Sequence, residues 1–104
     1  MEIMNMSNLK KIEDRDDIWN ALVPYVHGWM PMKFLKQVIW ARDNGHITHV
    51  ELARGTTSDR WDGTLYLKLA DPKDAMFVIN NFVMLAAANE VSMTDERTLR
   101  LWWD

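Results

Sequence analysis

The sequence predicts an α+β fold in which a four-stranded antiparallel sheet carries two helices on one face. Three observations lead there. "TLYLKLA" (64–70) and "RTLRLWW" (97–103) alternate apolar and polar residues at the period of half-buried strands. Phe34, Leu35, Val38 and Ile39 recur at helical spacing. If residues 16–26 are a strand, a stretch whose periodicity alone leans to helix, the elements run strand, helix, strand, strand, helix, strand, an order that places both helices on one side of a single sheet. A chain of 104 residues supplies one core. One domain is therefore expected over 15–104, after a flexible or loosely helical tail over 1–14, where Leu9 and Ile12 alone cannot bury a stripe.

Residues 16–29, "DDIWNALVPYVHGW", fit two readings. Ile18, Trp19, Leu22, Val23 and Val26 suit a helical stripe capped by Asp16 or Asp17. They also suit a short strand ended by Pro24, which cannot donate to a ladder. "MPMKFLKQVIWARDNG" (30–45) is a helix, with Pro31 in its first turn and Asn44-Gly45 as its stop. Trp40 lies at the edge of its stripe, in the core or on the rim. "HITHVELAR" (46–54) follows as a strand with Val50 and Leu52 on one face and His49, Glu51 and Ala53 on the other. "GTTSDRWDG" (55–63) reads as a polar loop with Asp62-Gly63 as its turn.

In the next strand Leu65, Leu67 and Leu69 point inward, and Thr64, Tyr66 and Lys68 outward. Asp71 with Pro72 starts a second helix reaching about Asn89, with Ala75, Met76, Ile79, Phe82, Val83 and Ala86 as its buried stripe. "NEVSMTDE" (89–96) is a connection. The last strand turns Leu99, Leu101 and Trp103 inward and Thr98, Arg100 and Trp102 outward.

Composition narrows the function classes. A formal net charge of −3 argues against a broad basic surface. Without cysteine there is no disulfide and no thiolate metal site. No apolar run approaches the roughly 20 residues of a membrane span. The opening "MEIMNMSNLKKIEDRDD" has acids where a secretion signal has an apolar segment, so the expected setting is intracellular, in the cytoplasm, and the Asn5-Met6-Ser7 sequon would go unused. His46, His49 and Glu51 do not assemble a ligand set, because alternation puts His46 in the preceding turn. The carboxylates of "EDRDD" (13–17) are solvated. No nucleophile elbow or phosphate-binding glycine loop is present. No catalytic residue, cofactor or metal is expected.

"DGTLYLKL" (62–69), "ADPKDAMFVINNF" (70–82), "DERTLRLWW" (95–103) and the spacing of "ALVPYVHGWMPMKFL" (21–35) together resemble the RNA recognition motif family from about Ala21 to Trp103. That resemblance favours a strand in 16–26 and implies a ferredoxin-like sheet whose open face stacks unpaired bases on aromatic rings. Tyr66 stands at one stacking position. The second holds Thr64, and Asp62 replaces the usual basic residue. On the first strand the position falls on Leu22, or on Trp19 in another register.

Two functions are expected from different classes. In the first, single-stranded RNA binds the open face through Tyr66, Lys68, Arg100, Trp102 and His49, with Arg54 and Arg60 at the hairpin ends holding phosphates. In the second, a protein partner, as for an adaptor or an inhibitor, is anchored by Trp29, Trp61 and Trp102 and steered by the acids around Asp14 to Asp17. The plainer alternative for Tyr66 and Trp102 is a cross-strand pair on a solvated face. Met30, Met32, Met76 and Met84 are expected to fill the core.

Overall fold

Asp14 decides how the chain enters the domain. Its carboxylate accepts the N–H groups of Asp16 (3.0 Å) and Asp17 (3.2 Å). This satisfies two donors that the first turn of a helix leaves open. Helix α1 then runs over Arg15–Leu22, and Ile18 and Leu22, one turn apart, are wholly buried. The strand expected in 16–26 is thus a helix followed by a 3-10 turn, Val23–Tyr25. Pro24 sits in that turn, where its missing N–H costs nothing. The cap and the i, i+4 spacing outweigh the resemblance that favoured a strand.

The structure, a computed structural model, describes residues 9–54, 61–81 and 83–104. Among these residues the sheet has five antiparallel strands rather than four, and three α-helices accompany it rather than two. The strands are β1 (Leu9–Ile12), β2 (Ile47–Arg54), β3 (Trp61–Leu69), β4 (Glu90–Asp95) and β5 (Thr98–Trp102), arranged β1-β2-β3-β5-β4. Two of these were not expected. Leu9–Ile12, assigned to the tail, pairs with β2, placing Ile12 against Val50. Glu90–Asp95, assigned to a connection, pairs with β5. β3 therefore lies between β2 and β5, and nothing from 16–26 enters the sheet.

Helix α2 (Met32–Asp43) buries Phe34, Leu35, Val38, Ile39 and Ala41 and stops before Gly45, which has φ +79°. Helix α3 (Asp74–Asn81) is shorter than its sequence pattern suggested. Asp71 and Pro72 make a preceding turn, in which the Asp71 carboxylate accepts the Lys73 N–H and the Asp71 carbonyl accepts the Asp74 N–H. A 3-10 turn, Val83–Ala86, follows.

One core joins Val50, Leu52, Leu65, Leu67, Leu69, Leu99 and Leu101 of the sheet to Ile18, Leu22, Phe34, Leu35, Val38, Ile39 and Val78 of the three helices. Period-two alternation puts all those strand residues on the same side, so the helices form a single layer. At one end the core is aromatic. Trp61 meets Tyr25, Trp29 and Trp103 at ring separations of 4.7, 5.6 and 5.6 Å, and Trp103 meets Phe34. The indoles of Trp61 and Trp103 donate to the carbonyls of Thr64 and Ala86, which lets both be buried. Of the methionines expected inside, Met30 is buried, but Met76 and Met84 are 64% and 86% exposed. Trp40, at 44%, is on the rim.

Asp62-Gly63 does not end a loop. Gly63 lies inside β3 at φ +95°, donating no side chain to a place where a Cβ would sit 2.5 Å from the Trp103 carbonyl oxygen. Trp103 in turn donates its N–H to the Gly63 carbonyl at 2.9 Å. Close approach of two backbones, rather than a chain reversal, is what requires glycine here.

Candidate functional site

The side of the sheet away from the helices is the surface on which most of the expected site residues meet. Strand register sets the arrangement. Lys11 lies opposite Glu51, Glu51 opposite Tyr66, Tyr66 opposite Arg100, and Arg100 opposite Ser92, a row crossing all five strands. A second row sets His49 beside Lys68 and Lys68 beside Thr98. A third sets Thr64 beside Trp102 and Trp102 beside Glu90. Among the described residues no helix covers this face, and Tyr66, Lys68, Arg100 and Trp102 are all partly exposed.

Tyr66 and Trp102 are not directly opposite one another. They occupy diagonal positions and make no ring contact, so they are not the stabilising cross-strand pair considered as the plainer reading. Among the described residues neither the tyrosine hydroxyl nor the Trp102 indole N–H has a hydrogen-bond partner. Both side chains are partly exposed.

The charges on the face are paired. Lys11 Nζ lies 2.8 Å from Glu13, Lys68 Nζ 3.9 Å from Glu51, and an Arg100 guanidinium nitrogen 3.3 Å from Glu90. His49 Nε2 is 3.5 Å from Glu51. Burial pushes the His49 imidazole below its ordinary range, and the charge of Lys11 adds to this against the opposing pull of Glu51. Burial thus favours the neutral imidazole. Lys68 also donates to the Thr98 hydroxyl (3.0 Å), which donates to Asp95 (3.0 Å). The Asp95 carboxylate, which also accepts the Arg97 N–H, is held below its usual range mainly by that backbone bond and then by Thr98. The polar groups from His49 to Asp95 thus form one network across four strands.

The other expected contacts fall elsewhere. Arg54 turns to the helix side, past an irregularity in β2, and lines a recess with Lys10, Tyr25, Leu52 and Trp61. Arg60 lies outside the described residues. Trp61 is buried and cannot anchor a partner. Trp29, 38% exposed, packs edge-on against Trp61 on the core side, on the layer opposite Trp102. The three tryptophans proposed together as partner anchors are thus not on one surface. His46 is also apart, its Nδ1 3.0 Å from Asp74 and its ring stacked on Phe77 and Trp40.

Glu90, Ser92 and Lys11 belong to the face and were missed, because they lie on the two strands the sequence concealed. The spacing of Val91 and Met93 was the signal for β4, and Glu90 would have followed from it. The arrangement offers two aromatic rings, an arginine between them in register, and alternating hydrogen-bond donors and acceptors. It is an α+β scaffold with one sheet face that no described helix covers and on which Lys11, Lys68 and Arg100 each have a carboxylate partner. Comparison of the chain with protein-family models, with curated proteins and with solved structures found no match. Among the described residues no helix is long and apolar enough to cross a membrane.

Proposed function

We propose that this chain is a non-catalytic protein-binding module that docks through the open face of its sheet. The observation that carries the reading is the adjacency of Tyr66, Arg100 and Trp102 on a face where Lys11, Lys68 and Arg100 each have a carboxylate partner. Tyrosine, arginine and tryptophan are the residue types that concentrate binding energy at protein interfaces. A face whose cations are already matched attracts phosphate weakly, and the chain's net charge of −3 adds repulsion. A polypeptide needs no net charge to bind there. It fills the space over the rings and exchanges hydrogen bonds with Ser92, Thr64 and the His49–Asp95 network.

Single-stranded RNA is the second reading. The partly exposed rings of Tyr66 and Trp102 favour it, as does the resemblance to RNA recognition motifs with a ferredoxin-like sheet, which with residues 16–26 helical is confined to Ile47 onward. Titration with a random single-stranded RNA pool at low salt, followed by tyrosine and tryptophan fluorescence, separates the two. The protein-binding reading expects no quenching up to roughly 10⁻⁴ M, the weak end of non-specific association. Quenching at lower concentration that fades steeply with added salt would establish RNA as the ligand.

A further inference from the structure

We infer that β4 is a docking edge for an extended segment of a partner protein, one with apolar residues at alternate positions and lysine or arginine at both ends. This concerns a different surface from the open face, and its failure leaves the open-face reading standing. Among the described residues β4 is the last strand of the sheet, with β5 as its neighbour on one side and no strand on the other, and all six of its residues are exposed. Its outer row of backbone N–H and C=O groups is a template for another strand.

The edge is held ready at both ends. Asn89 donates its N–H to Trp102 and accepts the Asp104 N–H on its side chain, while Asp95 closes the turn into β5 through Arg97 and Thr98. The core also stops short beneath it. Val91 and Met93 lie opposite Leu101 and Leu99, hence on the helix side, yet they are 39% and 38% exposed where those leucines are buried. An added strand would lay its own apolar side chains over this ledge.

The opposite edge differs. β1 has four residues, two of them Lys10 and Lys11, and its Ile12 is already buried, which are ordinary devices against strand addition. β4 contains neither lysine nor proline. Its guards are acids at its two ends, Glu90 and Asp95, with Glu96 just beyond. Antiparallel pairing of β4 with a second copy of itself would set Glu90 against Asp95 at each end, and like charges directly opposite destabilise a ladder. Asp95 and Glu96 at one end, and at the other Glu90, which pairs with Arg100 yet keeps 62% of its side chain exposed, favour a segment with basic ends. The charge pattern thus selects a foreign, basic-flanked strand and rejects self-pairing.

The test uses the isotopically labelled full chain and two blocked peptides, Lys-Val-Thr-Val-Thr-Val-Lys and the same sequence with glutamate at both ends. The lysine-flanked peptide is expected to shift the amide resonances of 90–95 and to bind at least tenfold more tightly than the glutamate-flanked one. The double variant Val91→Lys, Met93→Lys is expected to lose at least tenfold in this affinity while keeping its circular dichroism and thermal midpoint, since both side chains are already substantially exposed. Equal effects of the two peptides, shifts confined to residues 49, 66 and 100, or undiminished binding by the double variant would overturn the inference. So would concentration-dependent dimerisation of the free chain that the double variant abolishes, which would make a second copy the occupant.

Discussion

At Gly63 the backbone takes a left-handed φ and passes so close to the C-terminal segment that a methyl group would sit 2.5 Å from the Trp103 carbonyl oxygen. Gly63→Ala is expected to lower the unfolding free energy by about 1–3 kcal/mol from backbone strain alone, measured by urea denaturation. A change within the error of the extrapolation would contradict this account of the close approach. Asp-Gly is a turn dipeptide, and the sequence therefore pointed to a loop. The conformational demand was legible; its cause, a second backbone distant in sequence, was not. His49 gives a second residue-level expectation. Its folded-state pKa lies below the unfolded value of about 6.5, mainly through burial. The unfolded chain therefore binds the proton more readily, and the contribution is intact above the unfolded pKa and lost as pH falls toward the folded one. His49→Gln should show a smaller loss of stability than the parent between pH 7.5 and 5 in paired melting curves; parallel losses would show that His49 is not the group responsible.

Among the elements, α1 depends on its cap. Asp14→Ala is expected to cost about 1 kcal/mol, read from chemical denaturation, and should leave the sheet intact; no change would mean that the two N–H groups find other acceptors. Residues 16–26 carried both a helical and a strand reading, and the choice rested on Asp14, two residues before the pair first considered as caps. Helix α2 and strands β2, β3 and β5 were legible because each buries a continuous stripe whose period is visible over six or more residues of sequence. Both sheet edges were not. β1 is four residues long, and β4 shows only the brief alternation of Val91 and Met93 and buries neither, so each leaves too short a contrast between inside and outside. Edge strands owe their form to the ladder beside them, which is a non-local cause. The second helix was overextended for a related reason: apolar residues beyond Asn81 continue a helical rhythm, but the chain tightens into a 3-10 turn there and returns to the sheet.

For the whole molecule, the important result is how the fold distributes charge and aromatic surface. His49, Tyr66, Lys68, Arg100 and Trp102 were placed on one face by alternation alone, and strand register brings them together. What alternation could not supply was the partner of Arg100, since Glu90 arrives on β4. With Glu51 already beside Lys68, that strand turns a surface that looked cationic in sequence into one of matched pairs. Arg100→Ala and Trp102→Ala, both at partly exposed positions, should each change stability by less than about 1 kcal/mol yet weaken partner binding by about 2 kcal/mol or more, as measured by melting curves and by calorimetry with the identified partner. Losses of stability as large as the losses of affinity would assign these side chains to the scaffold instead.

The most direct measurement places a photo-crosslinking benzoylphenylalanine at position 66, in the middle of the open face, and irradiates the chain in the cells it comes from. If the face docks a polypeptide, the adducts will be destroyed by protease, survive nuclease, and disappear when Arg100→Ala and Trp102→Ala are added. Adducts that nuclease removes would show that the uncovered sheet binds nucleic acid, and the protein-docking account would be wrong.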